Sequence, residues 1–286
     1  MENHAVLGGG TMGCGVAQCL AAAGHTVTVF EPDAAAREAG PDRVRAGARL
    51  AKMLRRDGPG PDEVLGRIRW TGRWDELDSP EFVLECVPER LPVKEEVLRA
   101  ADEHSAPGTV LASCTSAIPI DHLAGWLGDP SRMIGTHFMN PAPLKDTVEV
   151  ASGPRTSSDT LRRTTELLGS LGKKAIVVGD GPGFVSNRVL MLTVNEAATV
   201  VHQGTADAAT VDAVFQQCFG HRMGPLRTAD LIGLDTIVDT LVVLREFTGD
   251  PRFEPSPLLA ELVAAGHLGE KSGRGFHLAA RGRVPS

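Results

Sequence analysis

A chain of 286 residues, 42% hydrophobic and 23% charged, is long enough for two domains and a well-buried core. A net charge of -7 argues against non-specific nucleic-acid binding, which needs a basic surface. No apolar run reaches the length of a membrane span, and the five cysteines are odd in number without CxxC spacing, so neither a membrane protein nor a zinc protein is expected.

The opening Met1-Glu2-Asn3-His4 lacks a basic region and leads straight into a strand, so the expected location is the cytoplasm, with reduced thiols. Short apolar runs at His4–Leu7, Thr26–Phe30, Phe82–Cys86, Val110–Ser113, Met133–His137, Thr147–Ala151 and Ala175–Val178 read as strands. Helical patterns at Met12–Ala23, Ala34–Arg56, Val93–His104 and Asp159–Leu171 lie between several of them. This alternation predicts an α/β fold, a Rossmann-type doubly wound sheet. After Gly179-Asp180-Gly181-Pro182-Gly183 no further strand is expected. Phe184–Gln203, Asp207–Cys218, Thr228–Phe247 and Leu258–Ala265 all carry helical periodicity. The predicted domains are therefore 1–183, binding a nucleotide, and 184–286, all helical.

Gly8-Gly9-Gly10-Thr11-Met12-Gly13 fits GxGxxG between a strand and an Ala-rich helix. Gly8 permits the tight turn, Gly10 lets the backbone approach a pyrophosphate, and Gly13 allows close helix–sheet packing. The amides of Thr11 and Met12 open the helix toward the phosphates. Glu31 ends the second strand, where a carboxylate accepts from the adenosine ribose and repels a 2′-phosphate. NAD is thus expected over NADP, with Arg37 too far along to reverse the preference.

His137 closes a strand, and Glu149 follows in the next apolar segment. A histidine held by a carboxylate is the arrangement of a general base. The other eight histidines read as structural or solvated. Taken singly, Glu149 could be a surface carboxylate, Ser116 a helix N-cap before Ile118–Trp126, and Asn187 a solvated residue.

The ordered set of motifs resembles the 3-hydroxyacyl-CoA dehydrogenase family in its short, monofunctional form. The motifs are the Gly8–Gly15 loop, Glu85-Cys86-Val87-Pro88-Glu89 with Lys94, Ser113-Cys114-Thr115-Ser116, and His137-Phe138-Met139-Asn140-Pro141 with Glu149. Pro182-Gly183-Phe184-Val185-Ser186-Asn187-Arg188, Met223-Gly224-Pro225-Leu226, Asp230–Asp235 and Lys271-Ser272-Gly273-Arg274-Gly275-Phe276 continue them. The resemblance implies NAD-linked oxidation at C3 of a 3-hydroxyacyl thioester by a homodimer. It implies His137 as base, Glu149 as its orienting partner, and Ser116 and Asn187 as hydrogen-bond partners of the reacting oxygen, in a cleft between the domains. Glu89, Lys94, Ser116, Asn140 and Lys271 would line the cofactor with Glu31.

Two departures bear on the substrate. The family's Asn-Thr-Ser-Ser is Cys114-Thr115-Ser116-Ala117 here, with Cys114 read as an inert thiol, and its Gly-Phe-Tyr is Gly275-Phe276-His277. Arg49, Lys52, Arg55 and Arg56 share much of one helix face. They form either a docking patch for CoA or an acyl-carrier protein, or a solvated helix face. The Cys-Thr-Ser-Ala run and Met223–Asp230 resemble a subgroup that oxidises carrier-bound glyceryl groups toward hydroxymalonyl or methoxymalonyl polyketide extender units. A catalytically silent NAD-binding relative and a dehydrogenase of free 3-hydroxy acids are the alternatives.

Overall fold

The first of two units, Met1–Gly181, alternates strand and helix in the computed structural model, which describes residues 2–55 and 58–278. Its elements are β1 (Asn3–Leu7), α1 (Thr11–Ala22), β2 (Thr26–Phe30), α2 (Ala34–Arg55), α3 (Pro61–Leu65), β3 (Ile68–Thr71) and β4 (Phe82–Glu85). They continue with α4 (Leu91–His104), β5 (Val110–Ser113), α5 (Ile120–Ala124), β6 (Met133–Phe138), β7 (Thr147–Ser152), α6 (Ser158–Ser170) and β8 (Lys174–Gly179).

The strands form one sheet in the order β3-β2-β1-β4-β5-β6-β7-β8. The first six are parallel throughout and follow the doubly wound dinucleotide-binding order. The near-continuous apolar runs of β1, β2 and β5 follow from burial on both faces of a parallel sheet. β7 then turns antiparallel to β6, and β8 runs parallel to β7.

β3 is absent from the sequence reading. Its Ile68-Arg69-Trp70-Thr71 is short, half-exposed and lies at the sheet edge, so it carries little apolar signal. Its Trp70 packs against α2 at Gly40, where a β-carbon would sit 2.2 Å from the ring. That packing keeps α2 helical through Gly40-Pro41, a pair that elsewhere reads as a helix breaker.

The second unit, Pro182–Ser286, contains α7 (Ser186–His202), α8 (Ala208–Phe219), α9 (Pro225–Ile232), α10 (Leu234–Thr248) and α11 (Pro257–Ala264). Among its described residues the only β pairing is two isolated bridges near the end. The single helix expected over Thr228–Phe247 is two helices. Gly233 breaks it with φ of 107°, a conformation a β-carbon would strain. Two carboxylates fix this unit's loops. Asp212 accepts from the amides of Leu226 and Arg227 at 2.9 and 2.8 Å, opening α9. Asp230 accepts from Phe276 and His277 at 2.8 and 2.9 Å, and a β-carbon on Gly275 would meet its carboxylate at 1.8 Å. Several motif residues of this half are therefore structural anchors. No helix among the described residues is long and apolar enough to cross a membrane.

Candidate active site

The glycine loop sits after β1, at the crossover between β1 and β4 where such sheets bind ligands. Gly8 adopts φ of 100°, and a β-carbon on Gly13 would lie 1.8 Å from the Gly8 carbonyl oxygen. A β-carbon on Gly10 would meet nothing within 4 Å, so the open side of the loop is the one at the start of α1. No side chain caps that helix, and its first amides, including those of Thr11 and Met12, have no intrahelical acceptor. Room, unpaired amides and the positive end of a helix dipole fit a pyrophosphate.

Glu31 follows β2. Its carboxylate accepts from the amides of Gly9 at 2.7 Å and Asp33 at 3.0 Å, which aligns it with the loop. Arg37 lies closer than its sequence separation suggests. Its guanidinium donates to the carbonyls of Glu31 at 2.6 Å and Pro32 at 3.2 Å, so it is engaged by backbone. Arg43, which the sequence gives no reason to single out, donates to the Gly9 carbonyl at 3.0 Å.

His137 and Glu149 meet because β6 and β7 are antiparallel. They are directly paired across the ladder, so their side chains leave the same face. His137 Nδ1 lies 3.1 Å from Glu149 Oε2, and both residues are buried. A carboxylate at Nδ1 fixes the ring's orientation and favours the tautomer whose Nε2 accepts a proton.

Behind the loop after β5 lies a buried charge network. Lys94, 1% exposed, holds Glu85 at 2.8 and 2.9 Å and Glu89 at 3.1 Å. Burial disfavours the ammonium, but the two carboxylates outweigh it and hold Lys94 above the usual lysine range. Burial likewise pushes Glu89 up, yet the Lys94 charge and hydrogen bonds from Thr115 and Ser116 leave it below the ordinary carboxylate value. Glu89 Oε1 accepts from the amides of Ser116 at 2.9 Å and Ala117 at 3.1 Å, and from the Thr115 hydroxyl. Glu85, fully buried, also accepts from Ser113 and from the Val87 amide. Glu89 and Lys94 thus hold the Ser116 turn from beneath.

Ser116 does not cap the next helix, whose N-cap is Pro119 with no side-chain hydrogen bond; the Thr115 hydroxyl instead closes the turn before it, accepting from the Ile118 amide at 3.0 Å. The helix that follows is only Ile120–Ala124. Cys114 is half-buried, with its sulfur 3.3 Å from that of Cys86. The Cys114 contact and burial push the Cys86 thiol well up, which makes it a poor nucleophile.

Asn140 lines a cavity of about 320 Å³ with Thr11, Gly15, Arg43 and Pro141. The turn beside it is held by buried Lys173, which donates to the carbonyls of Ala142 at 2.8 Å and Lys145 at 2.7 Å. Arg49 and Lys52 are exposed on α2 beside Met53. Arg56 and the side chain of Arg55 lie outside the described residues. In the second unit, Asn187 is half-buried on the first turn of α7, and Lys271 is paired with Asp235.

A doubly wound sheet with a glycine-rich first turn and a carboxylate-held histidine at a strand end defines the class of dinucleotide-dependent dehydrogenases. Residues 3–181 match the sequence profile of the 3-hydroxyacyl-CoA dehydrogenase NAD-binding domain, and residues 183–278 that of its C-terminal domain. The chain belongs to the 3-hydroxyacyl-CoA dehydrogenase family, and its cofactor is NAD. A probable 3-hydroxybutyryl-CoA dehydrogenase of Bacillus subtilis is 41% identical over 95% of either chain. Crystal structures of M. tuberculosis FadB2 and of the (S)-3-hydroxybutyryl-CoA dehydrogenase PaaH1 from Ralstonia eutropha are similar at TM-scores of 0.93 and 0.90. FadB2 is 37% identical, covering 98% of this chain and 99% of its own; PaaH1 is 34% identical, covering 98% and 100%.

Replacing Lys94 by Met leaves Glu85 and Glu89 facing each other without a counter-charge. The expected loss of stability at neutral pH is about 3–5 kcal/mol, read by urea unfolding. Glu89 titrates below its usual value near 4.5 in the native chain, so its contribution is complete above that pH and fades as pH falls. The deficit of the variant should shrink in the same direction. A stability equal to that of the parent chain would remove the network from this role.

Proposed function

We propose that this chain is an NAD-dependent dehydrogenase that oxidises the 3-hydroxyl of a 3-hydroxyacyl thioester, with His137 as general base. The observation that carries the reading is the buried His137–Glu149 pair, 3.1 Å apart at the carboxyl end of β6, in a chain of this family. NAD, when bound, takes the hydride that leaves C3. The chain's own task is to place the alcohol and move its proton. His137 Nε2 is the atom proposed to take that proton, because Nδ1 faces Glu149. Glu149 then stabilises the imidazolium, at a benefit of roughly 10²–10⁴ in rate for the pair as base. Ser116 and Asn187 are proposed to hydrogen-bond the reacting oxygen. Glu31 favours NAD over NADP by its charge.

The His137→Gln variant should lose about 10²–10⁴ in kcat while its NAD affinity is unchanged. Full turnover in that variant would sink the mechanism. NAD binding by the parent chain without NADH formation on any 3-hydroxyacyl thioester would sink the whole reading in favour of a silent relative.

For the acyl carrier, CoA and an acyl-carrier protein both suit a basic helix face. Arg49 and Lys52 are exposed for either, and Cys114 and Ala117 mark the pocket as different from the usual family pattern. Initial rates of NADH formation with 3-hydroxybutyryl-CoA and with glyceryl loaded on a carrier protein decide between them. The CoA assignment expects the higher kcat/KM for the first, and a preference for the second assigns the enzyme to extender-unit synthesis. Activity on the free 3-hydroxy acid equal to either would remove the thioester from the proposal.

The odd number of cysteines and their lack of CxxC spacing suit a reducing, cytoplasmic setting. We also propose a homodimer formed through the second unit, where Val189 on α7, Leu231 on α9 and Val242 on α10 expose apolar side chains. A Val189→Asp, Val242→Asp double variant should run as a monomer in light scattering; an unchanged mass would move the interface elsewhere.

A further inference from the structure

At the amino-terminal end of the sheet, away from the strand ends that carry the chemistry, three side chains converge. Glu2 and His4 are two residues apart on an extended segment and share a face. The Glu2 carbonyl accepts from the Thr26 amide at 3.1 Å and hydroxyl at 3.2 Å, which sets Glu2 beside His25, the residue before β2. Glu2 Oε2 then lies 3.6 Å from His4 Nε2 and 3.8 Å from His25 Nδ1. One donor atom from each of the three falls within 4.8 Å of the others.

His4 is completely buried, and neither of its ring nitrogens has a hydrogen-bond partner; His25 Nδ1 also lacks one. Buried polar atoms in native proteins are rarely left so. We infer that Glu2, His4 and His25 form a site for a divalent transition-metal ion of the zinc class, a ligand set that the sequence, read for cysteine spacing, does not announce. Two imidazoles and one carboxylate are donors such ions take. Zinc bonds of 2.0–2.2 Å in a tetrahedron put neighbouring donor atoms roughly 3.3–3.6 Å apart, close to both contacts made by Glu2.

His25 Nε2 lies 3.2 Å from Ser170 Oγ, the outer partner that orients a ligating histidine. Glu2 is exposed, which leaves that side open for water as a fourth ligand. The ion would tie the start of β1 to the turn before β2.

The test is a zinc chloride titration of the full chain against a competing chelator dye, in a Cys218→Ser background that removes the exposed thiol. The expected result is one zinc per chain, with affinity at least about tenfold weaker in His25→Ala and in Glu2→Gln, the scale produced by losing even an outer partner. Zinc should raise Tm of the parent and not of His25→Ala. No zinc uptake by the parent, or equal affinity in all three chains, overturns the site. Dehydrogenase turnover of both variants should match the parent, so this result and that of the catalytic reading are independent.

Discussion

The reversal of strand direction between β6 and β7 is the constraint on which the site turns. In a parallel ladder, residues at the carboxyl ends of neighbouring strands belong to separate loops, and each loop must be fixed by itself. An antiparallel ladder returns the chain on its own path, so a residue in β7 lies opposite one near the end of β6. His137 therefore receives its carboxylate from the middle of a hydrogen-bonded strand. Glu149 needs no loop to hold it, and a one-residue slip of β7 would turn it to the opposite face. β8, parallel to β7, covers what would otherwise be an open edge beside it.

The loop after β5 has no such support from the ladder, and charge takes its place. Lys94 and Glu85 are almost wholly buried, and Glu89, 32% exposed, completes the site at its rim. Desolvating them costs several kcal/mol per ion, so the network is not a source of net stability to be compared with apolar packing. Its geometry yields position instead. Lys94 neutralises two carboxylates, and Glu89 is then able to spend one oxygen on successive amides and a hydroxyl of the Thr115–Ala117 turn. A carboxylate gathering several donors is a rigid template, and Ser116 inherits that rigidity. Lys173 does the same with opposite sign for the turn after β6, offering one ammonium to two carbonyls.

How much of this was legible in the residues follows from where each signal originates. The five strands of the doubly wound core other than β3 are buried on both faces or nearly so, and burial writes itself as apolar runs. β3 is half-exposed and rests on Trp70 meeting Gly40, a tertiary contact with no local signature. The split at Gly233 was likewise hidden, because α9 and α10 are both helical and a lone glycine inside a periodic pattern reads as tolerated. In the site, His137 and Glu149 were visible as residue types near strand ends. The distinction between Glu31, which faces the glycine loop, and Glu89, which faces a turn, was not, since both simply follow strands. The turn held by the Thr115 hydroxyl was not visible either, because only the backbone decides which of two neighbouring hydroxyls points inward.

The two ends of the sheet impose opposite demands on histidine. At the carboxyl end, where strands feed loops, His137 is buried with its Nδ1 3.1 Å from a carboxylate fixed in the neighbouring strand. At the amino end, His4 is buried with a second imidazole beside it, and its protonated form is suppressed by burial. The residue type is the same at both ends. What separates the two settings is how the carboxylate is held: Glu149 is fixed in the ladder 3.1 Å from His137, whereas His4 has a second imidazole beside it and an exposed carboxylate 3.6 Å away.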